Sequence, residues 1–339
     1  MSERTTAAGA SPALAALPTA RGYGRLWHAL PWAIAIVFFF TAGGYLSLGT
    51  NALVMILFAM SLDLALGYAG IVTLGQAAFF GFGAYAAGIF AIHVHQDPLL
   101  GLVVATAAAA ALGLATGVLI LHTRGVTLLM LTLAILTLLG EFANEIGWLT
   151  GGDDGLHGIR IDPLLGLFRF GLWGRTAYLY ALVVLFVWFL IAWRVVHSPF
   201  GRSLDGIRQN PARMRAIGTP VWRRLVAVYT LSAAMAGSAG ALSAQTTKFV
   251  GLNTLGIFLS GIVAVMLVLG GVRRIYGAFL GAAIYVVVQD LAAKINPFYW
   301  MFFIGGMLMA TVLFLEAGLM SLVDKLRALM PQASEGETK

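Results

Sequence analysis

The strongest constraint on this chain is a succession of apolar runs, each close to the length that crosses a lipid bilayer, separated by short segments that hold most of the charge. A hydrocarbon core of about 30 Å calls for roughly 20 apolar residues in helical form. On that scale ten spans fall at residues 31–48, 50–67, 71–92, 98–121, 126–147, 175–196, 225–244, 254–271, 276–293 and 298–317. The expected fold class is all-α, a polytopic membrane helical bundle of about ten transmembrane helices. Its organisation follows directly: a tail over 1–30, a membrane domain over 31–320 interrupted by a basic loop at 197–224, and a tail over 321–339.

Composition agrees with this reading. Hydrophobic residues make up 60% of the 339 and charged residues 10%, against about 45–50% and 25% in soluble domains. The net charge of +7 could suggest nucleic acid in a soluble protein, but the positive-inside rule explains it here, so no nucleic-acid partner is expected. With both termini in the cytosol, sixteen Lys and Arg fall on the cytosolic side: Arg4, Arg21, Arg25, Arg124, seven between Arg194 and Arg224, Arg273, Arg274, Lys325, Arg327 and Lys339. Five fall outside: Arg160, Arg169, Arg175, Lys248 and Lys294. The first thirty residues lack the continuous apolar core of a secretory signal and read as a cytosolic tail.

Several chemistries lack their residues. The chain has no cysteine, which removes disulfides, thiolate nucleophiles and Cys-ligated metals. None of the four Lys follows a Gly, so the G-x-x-x-x-G-K-[ST] phosphate cradle is missing and any ATP must be bound by another subunit. G-x-S-x-G and H-E-x-x-H are missing too. His93, His95 and Asp97 form a superficially ligand-like turn, HVHQD, the sole prompt for a membrane enzyme; adjacent His on a short turn are ordinarily solvated.

Ionisable groups in or near spans are Asp63, Glu141, Glu145, Asp290 and Glu316. Such groups are expensive in lipid and default to functional hypotheses. The last three lie near span ends, where water or headgroups reach them. Asp63 and Glu141 are the better pathway candidates and the groups an ion-coupled secondary transporter would need. Residues 67–88, GYAGIVTLGQAAFFGFGAYAAG, are dense in glycine, including Gly70, Gly75, Gly81 and Gly83, which lets backbones approach or a helix break and line a cavity. Gln76 joins these as a lining candidate. A similar Gly-punctuated stretch at 267–285 hints at a parallel internal repeat of the transporter kind.

The loop from Arg194 to Arg224 has seven Arg and one Asp. Attraction to anionic lipid accounts for part of this charge. It does not account for the punctuation. Asn210 suits an N-cap, Pro211 the first helical position, Gly218 the C′ position, and Pro220 blocks continuation. A helix of about two turns is predicted, with Met214 and Ile217 as an apolar knob flanked by Arg213 and Arg215. Such a helix suits a socket on another protein. The segment at 150–175, rich in Gly and Asp at its start, reads as turns or as a docking surface for an external partner.

Four passages carry a resemblance: SLDLALGYAGIVTLGQAAFFGFGAYAAG (61–88), LTGGDDGLHGI (149–159), SPFGRSLDGIRQNPARMRAIG (198–218), and LSAAMAGSAGALSA (231–244) with the later LGG at 269–271. Together they resemble the permease subunits of branched-chain amino acid ABC importers, the LivM-type family. The resemblance implies a bacterial inner-membrane permease without enzymatic activity of its own, importing branched-chain or other small hydrophobic amino acids. It also implies a second homologous permease, two ABC ATPase subunits that use ATP and Mg, and a periplasmic substrate-binding protein; this chain would bind no cofactor directly. The coupling helix would be the one near Asn210, with Asp205, Arg208, Asn210, Pro211, Arg213, Met214, Arg215, Ile217 and Gly218 facing the ATPase. Urea, amides and aromatic or organic acids are the alternative cargoes of the same family. Three positions depart from the family's pattern: acidic residues are expected where Pro211 and Arg215 stand, and commonly a His where Gln76 stands.

Overall fold

The computed structural model describes residues 25–41, 43–163, 174–295, 300–314 and 318–319. Most of the expected N-terminal tail, the tail over 321–339, Arg169 and Glu316 lie outside the described residues. The chain divides into two compact units at Thr41. The first is represented by α1 (Arg25–Thr41), which contains Pro31 and begins inside the segment expected to be tail.

The second unit holds α2 (Leu46–Leu62), a π-helical continuation (Asp63–Tyr68), α3 (Gln76–His93), α4 (Pro98–Ile120), α5 (Val126–Glu145), the short α6 (Gly147–Thr150), α7 (Arg175–His197), α8 (Pro199–Gln209), α9 (Pro211–Ala216), α10 (Val221–Thr247), α11 (Ile257–Gly270), α12 (Ile275–Ile295) and α13 (Trp300–Phe314). Short 3-10 turns at Gly152–Asp154 and Leu252–Leu255 precede α7 and α11. Among the described residues there is no strand, only an isolated bridge between Leu156 and Val250. This is a polytopic helical bundle. Among the described residues seven helices are long and apolar enough to cross a membrane: Leu46–Tyr68, Gln76–His93, Pro98–Ile120, Val126–Glu145, Arg175–His197, Val221–Thr247 and Ile275–Ile295. Each of the ten expected spans overlaps a helix, but those at the first, eighth and tenth places are 17, 14 and 15 residues long. Expected span 31–48 runs across a real break, since α1 stops at Thr41 and α2 starts at Leu46.

Cap chemistry sets several helix starts. Asp97, Ser198 and Asn210 each precede a proline at the first helical position, and each side chain accepts a backbone N–H from the first turn: Leu99 at 2.8 Å, Gly201 at 3.3 Å and Arg213 at 3.0 Å. The pairing works because proline has no N–H to lose at that place, while the cap satisfies one that would otherwise be orphaned. Asp97 is thereby engaged at the start of α4, and the neighbouring His93 ring lies 3.2 Å from the Ile89 carbonyl.

The centre of the bundle is α10, which packs on α2, α3 and α4. Its middle, SAAMAGSAGALSA, is buried throughout apart from Ser243. Small residues there let backbones touch, which is how helices associate without a hydrophobic driving force between them. Gly240 lies against the Phe80 carbonyl, and Gly83 against the backbone of Gly237, so closely that a Cβ would overlap in either place. Phe58 meets Phe80 at a tilt with centroids 4.6 Å apart and Phe79 meets Tyr229 edge-on at 5.3 Å, packing α3 against α2 and α10.

Followed along the second unit, the long helices alternate in direction and leave two ends. Residues 68–75, 121–125, 198–220 and 271–274 gather at one; residues 94–97, 146–163 and 248–256 gather at the other, where Leu156 pairs with Val250 and the Asp162 N–H reaches the Gln96 carbonyl at 3.0 Å. The first end carries Arg124, the seven Arg from 194 to 224, Arg273 and Arg274. Among the described residues the opposite end carries only Arg160, Arg175, Lys248 and Lys294.

Candidate functional site

At the basic end α7 turns at Ser198 into α8, and α8 turns at Asn210 into α9, so the predicted single helix is the second member of a helical pair. The α8 helix is strongly amphipathic, with Gly201, Ser203, Leu204 and Ile207 buried against the bundle. None of α9 is buried. Its ends are nonetheless fixed. Asn210 caps the start, and at the finish the Gly218 N–H bonds the Arg215 carbonyl at 2.9 Å while the Thr219 N–H reaches the Met214 carbonyl at 3.0 Å. Gly218 has φ +84°, a left-handed conformation that glycine adopts without steric cost at this place.

Met214 and Ile217 do not form the shared knob expected of them. Met214 turns back onto Gly206 of α8, where a Cβ would come within 2.8 Å of its sulfur, while Ile217 is 68% exposed. The outward surface of α9 is therefore Arg213, Arg215 and Ile217, and Met214 is the peg that fixes α9 to α8. Removing the cap tests how much that local order matters. Asn210→Ala is expected to cost about 1 kcal/mol and to lower hydrogen-exchange protection of the α9 amides about fivefold; unchanged protection would show that Met214 alone orders the helix.

The rest of the site connects α8 to the bundle. The Arg208 guanidinium donates to the Gly67 carbonyl at 2.7 Å, satisfying one of the orphan acceptors at the end of the π-helical segment. Gly70 has φ +72° and lies under the Arg208 stem. Asp205 pairs with the Arg273 side chain. The Arg273 backbone N–H in turn donates to the buried Asp63 carboxylate at 2.8 Å, and the Tyr68 hydroxyl donates to the Arg273 carbonyl at 3.2 Å. These links differ in strength. The Asp205 and Arg273 side chains are 37% and 42% exposed, and such pairs are worth about 0–1 kcal/mol; the Arg273 N–H bond to Asp63 is buried, where loss of the acceptor leaves a donor unpaired at a cost of about 1–3 kcal/mol. The Arg208 guanidinium is drawn below its ordinary value, first by partial burial and then by the neighbouring Arg273 charge, against the opposing pull of Asp205 and Asp63.

The pathway candidates do not converge on one cavity. Asp63 and Gly70 belong to the basic-end cluster just described. Gly75 meets the Thr132 backbone of α5, Gly81 meets Leu255 and Thr254 of the 3-10 turn, and Gly83 meets α10. Gln76 is fully buried rather than open to a cavity. Its amide donates to the Ser61 and Ser232 hydroxyls, both at 2.9 Å, and the Ser232 hydroxyl donates to the Ser61 carbonyl at 2.6 Å, a polar knot joining α2, α3 and α10. Glu141 stands on the exposed side of α5. With Thr127, Met130, Ala134, Thr137 and Glu145 it makes an exposed stripe at helical spacing. A leucine at position 81 must displace the Leu255 turn, an overpacking cost of about 1–3 kcal/mol. Gly81→Leu is therefore expected to block uptake with the chain still inserted, and normal uptake would remove Gly81 from the site.

A family model for the "Branched-chain amino acid transport system / permease component" matches residues 44–312. The chain belongs to that permease family. The high-affinity branched-chain amino acid transport system permease protein LivM of Escherichia coli K12 is 27% identical to this permease over 323 residues, covering 88% of this chain and 75% of the relative. The probable LivM permease of Methanocaldococcus jannaschii is 25% identical over 69% of this chain and 76% of its own. The autoinducer 2 import system permease protein LsrC of Klebsiella pneumoniae is 29% identical over 51% of this chain and 49% of its own. No solved structure matches this permease. The match starts beyond α1 and takes in the α8–α9 pair and the polar knot.

Two features were missed by reasoning from residues alone. The separate helix α8 had a signal, since Ser198 and Pro199 repeat the grammar of Asn210 and Pro211. Arg273 had a weaker one, two adjacent Arg after a Gly-Gly pair between apolar runs. Nothing in the sequence tied it to Asp63, 210 positions away.

Proposed function

We propose that this permease is the transmembrane subunit of an ATP-driven ABC importer in a bacterial inner membrane, taking up branched-chain or other small hydrophobic amino acids delivered by a periplasmic binding protein. The basic end faces the cytosol, as the charge asymmetry favours, and both termini lie on that side. The single observation that carries the proposal is α9, a helix capped at both ends, with no buried residue, presenting Arg213 and Arg215 outward and fixed to the bundle through its neighbours. A socket in a cytosolic ATPase fits it. ATP and Mg are used there, and this chain holds no cofactor of its own.

A second homologous permease completes the channel. The reason is the α5 stripe: Glu141 on the outer face of a membrane helix is costly against lipid and inexpensive against water or protein. A pathway bounded by α5 of each permease gives it that environment, with lipid contacting the remaining outer faces. The segment around Asp153, Asp154 and His157, whose ring meets Phe249 at a tilt with centroids 4.6 Å apart, is the surface offered to the binding protein.

The test is gentle-detergent purification of the tagged chain from native membranes, followed by reconstitution in liposomes. Recovery of a second permease and Walker-motif ATPases, with leucine uptake that requires ATP, supports the importer. Uptake by the chain alone that collapses with the ion gradient would overturn it in favour of a secondary transporter.

A further inference from the structure

At the basic end one residue, Arg273, is held from both sides by elements distant in sequence. Its backbone sits at φ +68°, a conformation that non-glycine residues adopt at a cost and keep only when their surroundings impose it. Those surroundings are the two ends of the π-helical segment: Asp63 accepts the Arg273 N–H, and Tyr68 donates to its carbonyl. The Arg273 side chain reaches the other way, to Asp205 of α8. Arg208, one turn further along α8, closes the ring by donating to the Gly67 carbonyl inside the same π-helical segment. Three elements thus share one bracket: the end of α2, the turn between α11 and α12, and the helix that carries α9.

We propose that this bracket is the transmission joint of the permease, passing displacement of α8 and α9 into α2 and into the α11–α12 turn, with Asp63 as its positioning residue. The inference rests on the reading of α9 as the ATPase-docking helix. A π-helical segment suits the role because its wider hydrogen-bonding register is found mostly as single turns at functional places and differs from the α form by a local shift. The links are graded in the sense a joint needs, firm at the buried carboxylate and yielding at the exposed Asp205 pair. A device of this kind transmits only if the two states differ in interaction free energy, and breaking Asp205 from Arg273 while Asp63 retains the turn supplies such a difference.

Gly67 gives an independent handle. A Cβ there would overlap the Asp63 carboxylate and come within 3.0 Å of the Arg273 nitrogen, so Gly67→Ala pushes the carboxylate off its donor without changing any charge. Arg273→Gly removes the side chain that Asp205 holds and at the same time suits the left-handed backbone, so the turn is relieved of strain.

The experiment is uptake per ATP hydrolysed in liposomes holding the whole complex, with ATPase co-purification and thermal stability measured in parallel. Gly67→Ala, Asp63→Ala and Arg273→Gly are expected to lower uptake per ATP about tenfold while the ATPases still co-purify. Asp63→Asn, which keeps the accepting oxygen, is expected to stay within about threefold of the parent. The decisive variant is Arg273→Gly, expected to be at least as heat-stable as the parent yet uncoupled, which a merely structural role does not produce. Full coupling in Arg273→Gly, or equal loss in Asp63→Asn and Asp63→Ala, would overturn the joint. A parent chain that recovers no ATPase would instead overturn the importer reading, and the joint with it.

Discussion

Gly240→Val is expected to abolish accumulation of folded permease in the membrane, while Gly261→Ala leaves it at the parent level. Gly240 faces the Phe80 carbonyl at a separation that leaves no room for a Cβ, and the next atoms it would meet are the carbonyl carbon of Phe80 and the Ala84 nitrogen. All three are backbone, so no rotamer change can make way. Forcing α3 away from α10 then opens the contact between Gly83 and Gly237 and weakens the polar knot around Gln76, because all of these lie along the same helix pair. Overpacking of a well-filled core costs about 1–3 kcal/mol when side chains can shift, and more is expected where backbone must move. Gly261 in α11 has nothing within 4 Å of an added Cβ, and alanine there gains roughly 1 kcal/mol of helix propensity over glycine. Fluorescence-detected size-exclusion profiles of the two variants make the comparison. A monodisperse Gly240→Val peak with the parent's Tm would show that the α3–α10 contact can loosen without loss of fold.

How much of this was legible beforehand depends on the range of the interaction concerned. The ten apolar spans each located a helix because bilayer length and apolar content are local quantities that a sequence states outright. Breaks between them were harder. Residues 43–45 lie outside any helix within what reads as one run, and α11 reaches only 14 residues because Leu252–Leu255 takes up a separate 3-10 turn. Caps are legible at Asn210 and Gly218, and Ser198 before Pro199 carries the same kind of signal as Asn210 before Pro211, a side-chain acceptor followed by proline. The glycines from 70 to 83 read in the sequence as places where backbones approach or a helix breaks to line a cavity; each meets a different element, which no spacing within the stretch reveals. The fate of Asp63 and Gln76 shows the limit most plainly. Both are buried polar groups that need partners, yet Ser61 and Ser232 for one, and the Arg273 backbone for the other, are supplied by residues as far as 210 positions apart. The two glycine-punctuated stretches do share one feature, a positive-φ glycine after a helix end, Gly70 in one and Gly271 in the other. They also touch, through Tyr68 and Arg273, which likeness of spacing could not foretell.

Reversing the charge of α9, by Arg213→Glu together with Arg215→Glu, is expected to cut ATP-dependent uptake by at least about tenfold without lowering the amount of folded permease. Both side chains are exposed and neither is buried against the bundle, so the fold loses nothing. Glutamate at 213 lies in the first turn of the helix, where negative charge is favoured by the exposed N–H groups, and at 215 the opposite effect roughly balances it. What changes is the field at the docking face, from two positive charges to two negative ones, and like charges brought together across an interface cost several kcal/mol. Anionic lipid offers a competing account, since a basic residue near such a surface contributes about 1 kcal/mol. The two accounts separate on Ile217, which is apolar and outward. If α9 enters a protein socket, Ile217→Asp reduces ATPase co-purification as strongly as the double reversal does; if lipid is the partner, Ile217→Asp is nearly silent and the double reversal responds to the anionic lipid content of the liposomes. Parent-level uptake and ATPase recovery in both variants would remove α9 from the docking role.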